Sequence, residues 1–300
     1  MKRKLLLIPF LLASVIYAGC GKSDNPKIDK PPVVEQPAGE QTEAEKKITA
    51  AQWQTTQVSD AIVWKYYHFT DLFSAKQSVT VLDIDLNNKN LTLDIPYVSS
   101  GFLKTSEGAT IVSAAAAING GYFNTSTGGS TVFFKKDGQV ITPTKSGFTS
   151  YRENAGMTID NSRTVSVIAK PAAGWTTVSS STLLVSGPLL VLNDKIIAQV
   201  SQSFNTERNP RAGVGVTKSN HLIAVVVDGR ADEASGMTTP ELAEVMKALG
   251  CQSAMNFDGG GSSTAWVKNH GVVNYPSDNK KFDHEGERGV ATVIAFIMRN

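Results

Sequence analysis

The sequence predicts an α+β fold: one domain with a mixed, largely antiparallel β-sheet, several hairpins and one strand–helix–strand crossover near the C-terminus. Three observations lead there. Short runs alternating apolar and polar residues flank turn-forming pairs such as Asp137-Gly138 and Asn193-Asp194. Leu242, Val245, Met246 and Leu249 repeat at helical spacing between two apolar strand-like runs. A hydrophobic content of 41% over 300 residues is enough for a sizeable core.

Taken in order, the chain opens with Lys2, Arg3 and Lys4, then an apolar run over residues 5–16 too short to span a bilayer comfortably. Tyr17-Ala18-Gly19-Cys20 follows, small residues before a cysteine, as in a bacterial lipoprotein signal. Residues 1–19 are therefore expected to be a signal peptide, with Cys20 lipidated and the protein held at the cell envelope by that anchor. Gly21 after Cys20 favours the outer membrane or cell surface over retention at the inner membrane. Residues 20–57 read as a proline-rich tether with a short helix in "TEAEKKITAAQ", and the folded domain is expected over residues 58–300. Cys251 is the one other cysteine, so with Cys20 acylated no internal disulfide is expected, and Cys251 reads as a small buried hydrophobe.

Hairpins are expected between residues 79–86 and 91–97, 131–134 and 139–141, 189–192 and 195–198, and 211–216 and 222–227. A two-residue turn in the last would set Arg211 opposite Asp228, and a three-residue turn shifts this by one position. A helix follows, with Thr238 and Glu241 as a capping box, Pro240 in its first turn and Gly250 as its stop. The strand over residues 253–257 then ends at Asp258. A crossover of this length makes the two flanking strands parallel in one sheet. Asp228 and Asp258 should emerge at the carboxyl edge, where ligands of open sheets bind, beside Arg211.

The chemistry concentrates in "MNFDGGGSSTAW", residues 255–266. In Asp258-Gly259-Gly260-Gly261-Ser262-Ser263, successive glycine N–H groups could form an anion nest with the serine hydroxyls beside it. It is not a Walker A loop. Asn119-Gly120-Gly121-Tyr122-Phe123 repeats the pattern. Asn119 could both donate to and accept from a sugar hydroxyl or phosphate oxygen, while Tyr122 and Phe123 either stack on a sugar or pack in the core. Arg211 either forks onto phosphate or pairs structurally with Asp228, and Arg288 is a second cation. Glu241, foremost a helix cap, is kept among the candidate substrate contacts. His68, His221, His270 and His284 show no metal-ligand spacing, and no G-x-S-x-G elbow is present. No cofactor or metal is expected. With 29 basic and 27 acidic residues spread along the chain, nucleic acid is not an expected partner.

"NGGYFN", "NPRAGVGV", "VVVDGR", "TTPELAEVMKALGCQSAMNFDGGGSSTAWV" and "ERGVA" occur in that order. This sequence resembles the phosphodiester glycosidase family over residues 79–300. Family members hydrolyse a sugar linked through C1 to a phosphodiester, and the resemblance implies that Asn119, Arg211, Asp228, Asp258, Gly261, Ser262 and Arg288 belong to the pocket. The expectation is an extracytoplasmic hydrolase that releases free sugar and a phosphomonoester. Asp258, Asp228 and Arg211 are its expected catalytic residues. Asn119, Gly120, Gly121, Gly259, Gly260, Gly261, Ser262, Ser263, Arg288 and Glu241 are its expected binding residues. The rival readings are a metal-dependent phosphodiesterase holding a cation on two aspartates, and a non-catalytic envelope glycan binder.

Overall fold

Successive side chains along the strand Ala75–Asp85 face two different cores. Val79 and Val81 enter one, Leu82 and Ile84 the other. The strand His221–Val227 repeats this, with Leu222, Ala224 and Val226 on one face and Ile223, Val225 and Val227 on the other. A sheet covered on both faces needs such unbroken apolar strands. This computed structural model describes residues 32–34 and 41–299; the expected signal peptide and Cys20 lie outside the described residues.

The sheet has eight strands in the order Gln54–Ser59, Ile62–Leu72, Ala75–Asp85, His221–Val227, Arg211–Thr217, Cys251–Asn256, Leu189–Leu192 and Lys195–Ile196. Every neighbouring pair is antiparallel. Two five-stranded antiparallel sheets close the larger core, in which Leu82, Val214 and Val226 share a cluster with Ile118, Phe134, Met157, Leu184 and Phe296. The opposite face is covered by the helices Thr239–Ala248 and Glu43–Ala50, through Leu242, Val245, Met246 and Ile48. No helix among the described residues is long and apolar enough to cross a membrane.

The helix Thr239–Ala248 starts as expected. Thr238 accepts from the Glu241 N–H while the Glu241 carboxylate accepts from the Thr238 N–H. It joins two parallel strands, His221–Val227 and Cys251–Asn256, each antiparallel to Arg211–Thr217 between them. Arg211 pairs with Val227, one position from the two-residue-turn register, and Gly213 with Asn256. Arg211 therefore lies at the edge between the ends of both strands, with Asp228 and Asp258 just beyond.

Two expectations are corrected. Residues 79–86 and 91–97 do not form a hairpin, because both edges of Ala75–Asp85 are already taken by Ile62–Leu72 and His221–Val227. Leu91–Asp94 pairs with Val293–Met298 in another sheet. The actual hairpin turns at Phe73-Ser74, both left-handed at φ +56° and +57°, where a glycine or asparagine would have signalled it. The folded body also begins before residue 58. Glu43–Ala50 is capped by Thr42, its Ile48 is 2% exposed, and Thr42 donates through Oγ1 to Glu244 on the crossover helix.

Candidate active site

The strand Ala116–Asn119 carries its apolar run into the core and ends with a side chain that braces the neighbouring loop. Asn119 donates through Nδ2 to the Asp258 carbonyl at 2.7 Å and accepts at Oδ1 from the Thr264 N–H at 3.1 Å. Its amide thus holds both ends of the glycine loop instead of facing a ligand. Gly120 lies where a Cβ would overlap Thr292, whose Oγ1 accepts from the Gly121 N–H at 3.0 Å. The main chain is tied as well: the Phe257 N–H donates to Ala212 and the Asp258 N–H to Gly120.

Asp258 is enclosed by protein on most sides yet still reached by solvent. Burial pushes its pKa up to about 6, against the opposing pull of the Ser262 hydroxyl, Arg152, Arg288 and the Gly259 N–H. The Ser262 hydroxyl lowers the carboxylate's pKa without closing a well-aligned hydrogen bond.

The three glycines serve three different neighbours. A Cβ on Gly259 would come within 2.6 Å of the Pro210 carbonyl. Gly260 has φ +62° and lies under the Arg230 guanidinium, 3.1 Å from where its Cβ would be. A Cβ on Gly261 would overlap both Asp278 and Arg288. The expected anion nest is reduced to one N–H group, that of Gly261. The Gly259 N–H donates to the Asp258 carboxylate, Gly260 to Pro210, Ser262 to Gly259 and Ser263 to Gly260. Close approach is the main thing the bare backbone provides; of the N–H groups from Gly259 to Ser263, that of Gly261 is the one with no partner among the described residues.

Four guanidinium groups surround this loop. Arg211 is 2% exposed and donates to the carbonyls of Met237, Phe204 and Glu207. Burial pushes its pKa down to about 10. Arg152 stacks 4.1 Å from the Tyr122 ring centroid and 4.6 Å from that of Phe204, and its buried Nε has no partner. Tyr122 itself is core, its hydroxyl donating to Gly187 at 2.6 Å. Arg230 donates to Asn209 and is held in a left-handed conformation at φ +64°. Arg288 pairs with Asp278 through two hydrogen bonds of 2.6 and 2.5 Å. Among the described residues, Arg152, Arg211 and Arg230 make no salt bridge with a carboxylate. Arg288 also walls a cavity of about 730 Å³ lined by Phe102, Lys104, Glu107, Phe123, Thr125 and Gly289.

Asp228 occupies the same edge in a different environment. It is 1% exposed and accepts from Ser78 at 2.6 Å, Asn274 at 2.9 Å and the Tyr275 N–H at 2.8 Å. Burial raises its pKa to about 6 as well. The considered Arg211–Asp228 ion pair does not form, because the Arg211 fork is taken by main-chain carbonyls and the Asp228 oxygens by these donors. Asn274 extends the brace, donating to the Ser263 carbonyl and accepting from the Ala265 N–H. Glu241 stands outside this constellation: it caps its helix and binds Arg208 through both oxygens. Ser263 lies with its hydroxyl buried and unpartnered. Among the described residues, no three of His, Cys, Asp and Glu gather as metal ligands.

Sequence reasoning passed over Arg152, Arg230, Asn274 and Asp278. Arg230 stands inside "VVVDGR" beside Asp228 and could have been found there. The other three fall in turns and loops without periodic signal.

Residues 113–297 match the family described as phosphodiester glycosidase. A solved structure of zebrafish N-acetylglucosamine-1-phosphodiester alpha-N-acetylglucosaminidase, its catalytic domain auto-inhibited by the pro-peptide, has the same fold. Its TM-score is 0.64 at 22% identity, over 83% of this chain and 88% of that one. A hypothetical protein from Synechocystis gives a TM-score of 0.60 at 16% identity, over 83% of this chain and 64% of that one. The SPbeta prophage-derived uncharacterized protein YomE of Bacillus subtilis (strain 168) is 27% identical over 106 residues, 29% of this chain; the matched stretch spans 16% of YomE. With more than half its length matched, this chain belongs to the phosphodiester glycosidase family, and membership supports a glycosidase-type hydrolase.

Proposed function

We propose that this protein hydrolyses the C1–O bond of a sugar-1-phosphodiester outside the cytoplasm, releasing free sugar and a phosphomonoester. In this reading residues 1–19 are removed on export, lipidated Cys20 anchors the chain, and a tether from Cys20 reaches the folded body where Val33 bridges Ile197. One observation carries the activity: a single recessed carboxylate, Asp258, sits under a glycine loop ringed by guanidinium groups. An anion is drawn in by that field, and the acid is placed beside it.

Water gives its oxygen to C1, and the C1–O electron pair departs on the phosphate. Arg288 and Arg152, the two cations whose charge reaches Asp258, stabilise that departing charge. A phosphate leaving group is weakly basic, so little general-acid help is needed. Asp258, ionised above about pH 6, stabilises the positive centre at C1 or takes the proton of the attacking water. Asp228 acts as an orienter: through Asn274 it fixes Ser263 and Ala265, the far end of the glycine loop. The cavity that Arg288 walls gives the phosphate's other substituent room.

A screen of sugar-1-phosphodiesters tests this, with Asp258→Asn as the control. Release of free sugar by the wild type and not by the variant is the expected result. Retention of the ligands by both proteins, with no turnover by either, would replace this reading with that of a binder.

A further inference from the structure

Arg288 is the one guanidinium of the site that carries a carboxylate. Asp278 holds it in a two-point fork, the geometry with which arginine also binds phosphate. The same carboxylate lies over Gly261 so closely that any Cβ there would overlap it. Both side chains are about one-third exposed, 36% for Arg288 and 34% for Asp278. An ion pair this accessible contributes little to the fold. Its position is more telling: Arg288 feels the charge of Asp258 and also walls the large cavity.

We propose that Asp278 is an internal competitor for the substrate's anion, its carboxylate occupying the place over Gly261 and on Arg288 that the phosphodiester takes. The proposal rests on the glycosidase reading for the identity of that substrate, but the competition itself concerns phosphate. A bound carboxylate neutralises Arg288, so an incoming anion gains that cation only by displacing Asp278. The loop that carries Asp278 has its own support. Tyr275 stacks on Phe282 at 3.9 Å and on His284 at 4.5 Å, and Asn279 donates to Asp283 at 2.6 Å. Rotation of one surface side chain therefore suffices, with no need to unfold the loop. Asp278 thereby raises the threshold for every anion: one that contacts Arg288 alone has no advantage over the resident carboxylate, whereas a phosphodiester whose sugar also contacts the rest of the site has.

The test is titration calorimetry of inorganic phosphate into the full chain, the Asp278→Asn variant and the Asp278→Glu variant. The Asn variant keeps the volume and removes the charge. It is expected to bind phosphate about tenfold more tightly than wild type, with the Glu variant near wild type. The KM for a sugar-1-phosphodiester should fall in the same direction. Phosphate binding that is unchanged or weaker in Asp278→Asn would make Asp278 a brace for Arg288 and overturn the proposal. Tighter phosphate binding with no sugar phosphodiester turned over by any of the three proteins would support the competition and count against the glycosidase reading. Turnover by the wild type with unchanged phosphate affinity in the Asn variant would do the reverse.

Discussion

Asp228 and Asp258 stand at the ends of two parallel strands, at one sheet edge, and burial raises both to a pKa of about 6. Their surroundings differ in kind. Ser78, Asn274 and the Tyr275 N–H aim three donors at Asp228, which is almost wholly buried. Asp258 receives one well-formed hydrogen bond, from the Gly259 N–H of its own loop, and is otherwise stabilised as an anion by the nearby Ser262 hydroxyl and by Arg152 and Arg288 through space. A perturbed acid is thus not by itself a reactive one. What separates the two is whether their oxygens are already committed.

Replacing each acid by alanine should break the pair apart. Asp258→Ala is expected to lower kcat by about 10³-fold, beyond what loss of one positioning contact causes, as read from sugar release. Gly261→Ala forces Asp278 and Arg288 off the loop, and should lower kcat/KM by about 10²-fold with the melting temperature little changed. Arg152→Ala should lower kcat/KM by about tenfold. It should also move the acidic limb of the pH profile upward, because Arg152 is the first cation holding the Asp258 pKa down.

Stability sharpens the same contrast with opposite signs. Asp228→Ala leaves three buried donors unmet and should cost about 2–3 kcal/mol, seen as a melting temperature lower by about 5 °C or more. Asp258→Ala should instead raise the melting temperature at pH 7 by about 2–4 °C. In the native state Asp258 holds its proton up to about pH 6, whereas in the unfolded chain it loses it near the ordinary value of 3.8. Native protein therefore binds more protons between those limits, and stability falls as pH rises through them. The gain from Asp258→Ala is complete above about pH 6 and absent below about pH 4.

The parts of this arrangement that obey local rules could be read in advance. The capping box at Thr238, the stripe from Leu242 to Leu249 and the turn at Lys218–Asn220 brought Arg211, Asp228 and Asp258 to one edge before any coordinates. The roles of the side chains could not be read this way, because they depend on which atoms arrive from elsewhere. Asn119 looked like a ligand contact until Asp258 and Thr264 proved to occupy its amide. The glycines read as a nest, but most of the loop's N–H groups bond within the protein, and Pro210, Arg230 and Asp278 lie where a Cβ would stand. Arg152 reaches the site from a single turn of 3-10 helix, Ser150–Arg152, held by aromatic rings from two distant segments. Nothing in its own neighbourhood of sequence foretells that.

In the proposed reaction water attacks carbon and not phosphorus, at a site built around Asp258. Hydrolysis in heavy-oxygen water measures this directly. Label is expected in the released sugar alone, and its appearance should cease in Asp258→Asn. Label in the phosphate, with the sugar unlabelled, would contradict the claim.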